Sequence, residues 1–482
     1  MFDLRPVGYV VGLLVAFLGL SMLVPMGLDL YVGNGHAGVF VESAIVTVLT
    51  GVFLAISCAN SVEQGIGTRQ TFILTTGVWV VLPLFGALPF LRGATDATFT
   101  NAYFEAMSGL TTTGSTVFSG LDLLPEGLLL WRSMLQWFGG IGIIVVAMVF
   151  LPELRVGGMQ IFRSEGFDTD GKVLPRAAEI ASRISIVYLS LTAACTFAYF
   201  MAGLSLFDAV NHAFTTIATG GFSTRDASFG AFQGPPEYVA AVFMILASLP
   251  FVRYVQLLAG STRPLFLDSQ VRTFLIVLFV LILMMTLFRL VVAGDILLPT
   301  VREATFNLTS IITGTGYAST DYQLWGAFPV TVFFFIGLIG GCAGSTCCSV
   351  KVFRYQLLVG AVANQIRRIH SPHGVFQLKY EGRTVTEDVI SSVMAFLTLF
   401  VVTLGIVSVM LSATGLDFVT SISGAAAALA NVGPGLGPII GPAGNFGALN
   451  EAAKWILVFA MLVGRLELMV VFVLFTTRFW RT

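Results

Sequence analysis

Four times along the chain, about a hundred residues apart, a short apolar segment runs into a loop of small residues. The loops read Thr111-Thr112-Thr113-Gly114-Ser115-Thr116, Ala218-Thr219-Gly220-Gly221-Phe222-Ser223-Thr224, Gly314-Thr315-Gly316-Tyr317-Ala318-Ser319-Thr320 and Asn431-Val432-Gly433-Pro434-Gly435. The segments before them cover about residues 97–110, 207–217, 301–312 and 417–430. All are shorter than the roughly 20 apolar residues needed to cross a bilayer. They fit re-entrant half-helices, which are tolerated at membrane depth only where protein or a water-filled cavity surrounds them. Gly lets a chain run extended with its carbonyls turned to one side. Four such loops around one axis make a ring of backbone oxygens that can replace the water around a desolvated cation.

Composition agrees with a membrane protein. Of 482 residues 56% are hydrophobic and only 11% charged, where soluble domains carry about 25%. Ten stretches are predicted as spans, at about 7–28, 39–59, 71–91, 128–151, 184–204, 238–258, 273–293, 328–359 (interrupted), 389–411 and 455–475. The predicted fold is an all-α polytopic membrane protein of about ten transmembrane helices. An N-terminal hairpin (1–67) precedes four span–half-helix–span repeats in pseudo-fourfold symmetry: 68–155, 156–262, 263–372 and 373–482. The start, Met1-Phe2-Asp3-Leu4-Arg5, runs into a long apolar stretch with no cleavage site, and is read as a retained span.

The distribution of positive charge orients the chain. With both termini cytoplasmic, inner segments hold eighteen of the 25 Lys and Arg, among them Arg155, Arg163, Lys172, Arg176, Lys351 and Arg354. Outer segments hold Arg92, Arg132, Arg225, Arg289, Arg302 and Lys454. The four loops then lie in the outer half, beneath a face rich in acids such as Asp96, Glu105, Asp122, Asp208, Asp226, Asp295, Glu303, Asp321 and Asp417. Such a face concentrates cations, although each acid on its own is equally well a solvated loop charge.

A half-helix entering from outside aims its negative dipole end at the mid-membrane, where it favours a cation. The oxygen-only surroundings, without a carboxylate pair, suit an alkali ion rather than a divalent one. The step ending in Thr-Gly or Val-Gly aligns Gly114, Gly220, Gly316 and Gly433, with Gly221 the competing choice in the second loop. Shared Ser223-Thr224 and Ser319-Thr320 favour that alignment. The third repeat's second span is interrupted by Gly340-Gly341-Cys342-Ala343-Gly344-Ser345-Thr346-Cys347-Cys348-Ser349. Gly, Ser and Thr at this density weaken a helix, so the segment is expected to break and to act as a gate beneath the loops. Close helix packing through small residues is the plainer alternative. In the last span Arg465 stands in an apolar run, where charge is costly and usually faces a partner or a water-filled path. It is expected to contact the broken segment and form a barrier to cations. A pair with Glu467, two residues on, is disfavoured because such positions do not face each other on a helix.

With these residues in view, the chain resembles the Trk/Ktr/HKT superfamily of potassium transporters. Trp137-Phe138-Gly139-Gly140-Ile141-Gly142 and the two extra N-terminal spans resemble its bacterial TrkH branch. Thr315-Gly316-Tyr317 resembles a potassium-channel signature. The resemblance implies potassium uptake across the inner membrane through a filter of backbone carbonyls, built from Thr112, Thr113, Gly114, Ala218, Thr219, Gly220, Gly314, Thr315, Gly316, Asn431, Val432 and Gly433. It implies a gate made by Gly340, Gly341, Gly344, Ser345, Thr346, Cys347, Cys348, Ser349 and Arg465. Where the family loop usually continues with glycines, this chain has Cys347-Cys348-Ser349. A homodimer is implied, as is a cytosolic TrkA-like ring of nucleotide-binding regulatory subunits, for which 151–183 and 351–383 are the natural docking faces. Potassium is the expected bound ion. No organic cofactor, nucleic-acid partner or catalytic residue is expected; the chain has no P-loop, and His212 has only Asp208 one turn away. The alternative is an ion-coupled secondary transporter of potassium or another solute, since broken helices and repeats serve those as well.

Overall fold

The computed structural model describes residues 3–60, 67–147, 154, 157–162 and 173–481, which form an α-helical membrane protein. Its only strands among the described residues are Lys379–Tyr380 and Arg383–Thr384, a minimal hairpin. Among the described residues, seven helices are long and apolar enough to span a bilayer, or eight if Pro235–Ala247 and Phe251–Leu258 form one bent span. Arg5–Val32 and Ala37–Cys58 form the N-terminal hairpin. Its two helices meet through small residues: a Cβ on Gly51 would stand 2.4 Å from the Ala16 backbone nitrogen, and one on Gly12 2.6 Å from that of Ala55. Lipid tails are as apolar as leucine, so close backbone approach of this kind is what binds spans together.

Then a span, a half-helix, a loop and a second span recur four times. The half-helices are Phe99–Leu110, Leu206–Ile217, Leu297–Ile312 and Phe418–Ala430. Three carry a side-chain N-cap, in which Thr98, Ser205 and Asp417 accept from the amides of Asn101, Asp208 and Thr420. Caps of this kind satisfy amides that a short helix cannot satisfy itself. Residues 102–110 and 423–430 are buried on every face, whereas only 22% of the most apolar window of Ser269–Ala293 is covered by protein. The inner turns of these half-helices thus lie inside the protein, while spans such as Ser269–Ala293 and Glu387–Ala413 are largely uncovered; Glu126–Val145, 72% covered, is an interior span.

The second spans are broken in repeats 2 and 4, where continuous spans were expected, as well as in repeat 3, where the interruption was expected. The predicted continuous span 238–258 is broken at Ser248-Leu249-Pro250 with a bend of 88°. Pro250 has no N–H to continue the helix. The predicted span 455–475 ends as a helix at Arg465 and resumes at Met469, with Glu467 and Leu468 at positive φ between. In repeat 3 the helix Ala327–Gly337 stops, and Val352–His370 begins only after the Gly/Ser/Cys segment. In repeats 2 and 4 apolar side chains on both sides of the break keep the hydropathy continuous and conceal it.

Candidate functional site

Each half-helix ends in the same local motif. The amides of Thr112, Thr219, Gly314 and Asn431 bond to the carbonyl three residues back, and those of Thr113, Gly220, Thr315 and Val432 to the carbonyl five back. This is the Schellman pattern, and it requires a left-handed residue just past the helix. Thr112, Thr219, Gly314 and Asn431 take it, with φ of 50°, 49°, 71° and 51°. Two residues on, Gly114, Gly221, Gly316 and Gly433 again have positive φ. The shared motif corrects the register of the second repeat. Gly221, not Gly220, matches Gly114, and Gly220 takes the place of Thr113. Ala218 closes its half-helix one residue ahead of the loop.

These four glycines bring the loops together around one axis. A Cβ on Gly114 would lie 2.1 Å from the Gly220 oxygen, and one on Gly221 1.9 Å from that of Thr315. One on Gly316 would lie 1.9 Å from the Val432 oxygen, and one on Gly433 2.8 Å from that of Thr113. The contacts run from loop 1 to 2, 2 to 3, 3 to 4 and 4 back to 1, so the ring closes. Only glycine permits both the backbone conformation and the approach.

Three half-helices clamp the outward run of their own loop with a polar residue at the same position. Glu105 accepts from the Val117 amide at 2.9 Å and the Thr116 hydroxyl at 2.9 Å. His212 Nε2 meets Ser223 Oγ at 3.0 Å, and Asn307 Oδ1 accepts from the Ser319 amide at 3.1 Å. Ser223 and Ser319 are therefore equivalent, and loop 2 is one residue shorter between its glycine and its serine. That shortening is what made Gly220 look aligned. Glu105 is wholly buried and pairs with Arg132 Nε at 2.8 Å, while Arg132 Nη1 donates to the Ser223 carbonyl at 2.9 Å. Neither is an outer-face charge, and Asp208 is buried too. The shared position of Glu105, His212 and Asn307, five residues before the end of each half-helix, was the available signal. Asp96, Asp122, Asp226 and Asp417 are exposed as expected. At Asp122 desolvation is the largest single influence and raises the carboxyl, but the hydrogen bonds from Arg225 and the Asp226 amide, with the Arg225 charge, together outweigh it and hold the group below the usual range.

Against the ring lies the broken segment of repeat 3, buried in the protein save for half-buried Ser349. A Cβ on Gly314 would stand 3.9 Å from the Cys348 amide nitrogen. The segment is sewn to the break of repeat 2. Cys342 N donates to Ser248 O at 3.0 Å, Thr346 Oγ1 to Ala247 O at 3.1 Å, and Phe251 N to Gly344 O at 2.9 Å. Arg465, 2% exposed, donates to the Thr346 carbonyl at 3.3 Å, the Gly139 carbonyl at 3.0 Å and the sulfur of Cys348. Among the described residues no carboxylate lies within 4.0 Å of it. Glu467 instead meets Arg354, whose Nε donates to the Gly157 carbonyl at 3.0 Å. Lys351 donates to the Cys347 carbonyl. Lys351 and Arg354, expected in the cytoplasmic charge belt, are both buried. Of the expected docking face 151–183, residues 151–153, 155, 156 and 163–172, with Arg155, Arg163 and Lys172, lie outside the described residues, as does the side chain of Arg176. In the other face, Arg367, Arg368, Lys379 and Arg383 are exposed.

Four half-helices ending in one shared motif, with loops that close a ring of glycine-to-carbonyl contacts inside a bundle of spans, fit a membrane protein of the cation-transport class. The chain belongs to the TrkH family of cation transport proteins, which matches residues 36–481. It is 42% identical over 478 residues to the Trk system potassium uptake protein TrkI of Halomonas elongata, covering 99% of this chain and 97% of that one. It is 38% identical over 486 residues to the Trk system potassium uptake protein TrkH of Escherichia coli K12, covering 99% of each. The fold is similar to the crystal structure of the potassium transporter TrkH from Vibrio parahaemolyticus, with a TM-score of 0.92, 35% identity and full coverage of both chains.

Proposed function

We propose that this chain carries potassium into the cell through the four-loop ring, as the translocating subunit of a Trk-type uptake system in the bacterial inner membrane with both termini cytoplasmic. The observation that carries this reading is the closure of the ring, in which each glycine faces the carbonyl of the next loop. Carbonyl oxygens replace the hydration shell of an alkali ion, and the four half-helix dipoles add to their pull. Glycine at all four equivalent positions favours potassium over sodium. Segment 340–349 and Arg465 act as the gate. An unpaired guanidinium beneath the ring repels a cation, and its bonds to Thr346 and Cys348 hold the segment across the path. The exposed basic residues of 351–383 are the docking face for a cytosolic nucleotide-binding regulator, and the working unit is a homodimer.

Tracer rubidium uptake into liposomes holding the purified protein, competed by potassium and by sodium, tests this. Uptake blocked by potassium and barely by sodium is expected. No uptake by either the native protein or Arg465→Ala overturns it.

A further inference from the structure

The four ring carbonyls are not chemically alike. Those of Thr113, Thr315 and Val432 accept no hydrogen bond from the described residues, whereas that of Gly220 accepts one from the side chain of Gln136, at 2.6 Å. Gln136 lies on Glu126–Val145, the second span of repeat 1, and is wholly buried. Its other amide atom, Oε1, accepts from the Phe222 backbone at 3.1 Å, so one side chain grips loop 2 on both sides of Gly221.

The sequence explains the asymmetry. The ring position before each glycine carries a side chain in three loops, Thr113, Thr315 and Val432, and none in Gly220. A Cβ on Gly220 would fall 2.4 Å from the Gln136 side-chain carbon and oxygen. The amide from the neighbouring repeat thus occupies the space left by the missing side chain. Packing does not demand a glutamine there. Gly139 and Gly464 are equivalent, since a Cβ on either would collide with the carbonyl at the end of its own repeat's half-helix, Leu110 at 1.8 Å and Leu429 at 2.1 Å. Three residues before each stand Gln136 and Met461, both buried. Repeat 4 fills the corresponding place with an apolar side chain of similar length.

We infer that Gln136 is a specificity-determining positioning residue, acting on the ion through the Gly220 carbonyl; this rests on reading the ring as an ion filter. An N–H aimed at a carbonyl sets a partial positive charge about 2 Å from the oxygen. That weakens the pull of this oxygen on an ion and tethers it against moving inward. Sodium, the smaller ion, needs oxygens that close in and a stronger field; potassium does not. Gln136 therefore penalises sodium more than potassium at one quarter of the ring.

The test uses Gln136→Met, which copies the solution of repeat 4, and Gln136→Glu, nearly isosteric and assayed at alkaline pH so that it has no proton to donate. Glu keeps an acceptor for Phe222. Rubidium uptake into liposomes is competed by potassium and sodium, and the ratio of their half-inhibiting concentrations is read. Both variants are expected to lower the preference for potassium by about fivefold or more, the worth of one hydrogen bond. A ratio within about twofold of the native one in either folded variant overturns the inference. So does a change in Met alone, which would assign the effect to the Phe222 anchor. If the native protein itself does not discriminate, the filter reading fails; if it does and the variants match it, only this inference fails.

Discussion

A Cβ on Gly316 would stand 1.9 Å from the carbonyl oxygen of Val432, although 116 residues separate the two in the chain. The φ of Gly316 is 84°, a conformation that L residues rarely adopt. Steric room and backbone conformation therefore require glycine independently. Gly316→Ser is expected to narrow the preference for potassium over sodium and to cut uptake by about tenfold or more, given strain of about 1–3 kcal/mol. Competition of rubidium uptake measures it, and an unchanged ratio would remove Gly316 from the ring's function.

The corrected register makes a separate prediction. Gly221 has a φ of 78° and meets backbone of the third loop, while Gly220 meets only the flexible end of Gln136. Gly221→Ala is expected to damage uptake more than Gly220→Ala. Equal damage, or the reverse order, in the liposome assay would return the ring position to Gly220.

Arg465 brings a buried positive charge to the underside of the ring with three acceptors and no carboxylate among the described residues. Arg465→Ala is expected to raise basal rubidium flux about threefold or more, because a charge in a narrow apolar path is a steep barrier. Reduced flux with a lower melting temperature in detergent would mark the arginine as a structural lock instead.

Cys348 presents its sulfur to Arg465, so Cys348→Ala removes one of the contacts that hold the segment. The loss is worth about 1 kcal/mol and is expected to raise basal flux up to about fivefold. Single-channel or flux recordings of the two proteins side by side would show it. Identical basal flux would leave Thr346 and Gly139 as the contacts that matter.

The Glu105–Arg132 pair is buried and hydrogen-bonded into two loops. Glu105→Ala strands the guanidinium and is expected to cost about 3–5 kcal/mol of stability. The double change Glu105→Gln with Arg132→Met should cost less than the sum of the single changes. Thermal unfolding in detergent reads both; additive losses would mean the two residues do not act as a pair.

The half-helices were legible in the sequence because length alone separates them from spans, and because Asp417 marks the start of the fourth. Their outline differs by four residues or fewer at any end. The breaks at Ser248-Leu249-Pro250 and at 466–468 were not legible, because a hydropathy pattern counts apolar side chains and cannot register which backbone groups bond. The ring register failed at Gly220-Gly221 for a related reason. Adjacent glycines offer the same local signal, and the choice is made by Thr315 and Gln136, which are distant in sequence. Lys351 and Arg354 read as cytoplasmic because they fall past the interruption of span 328–359, towards its inner end, and their burial follows only once the helix is seen to restart at Val352. Glu105 looked like one acid among many on the outer face, and only the arrival of Arg132 and Val117 makes it an interior residue.

The seam between repeats 2 and 3 has a mechanical consequence. Ala247 and Ser248 offer carbonyls that their own broken helix cannot use, and Thr346 and Cys342 supply the donors. Neither edge can lift away alone without leaving bare polar groups in a dry interior, at about 1–3 kcal/mol each. In the gating role proposed above, the segment is a door hung from two frames. Such a door swings only when both repeats give way together, or when water enters to take up the released bonds, so wetting of that seam and movement of the door would be one event.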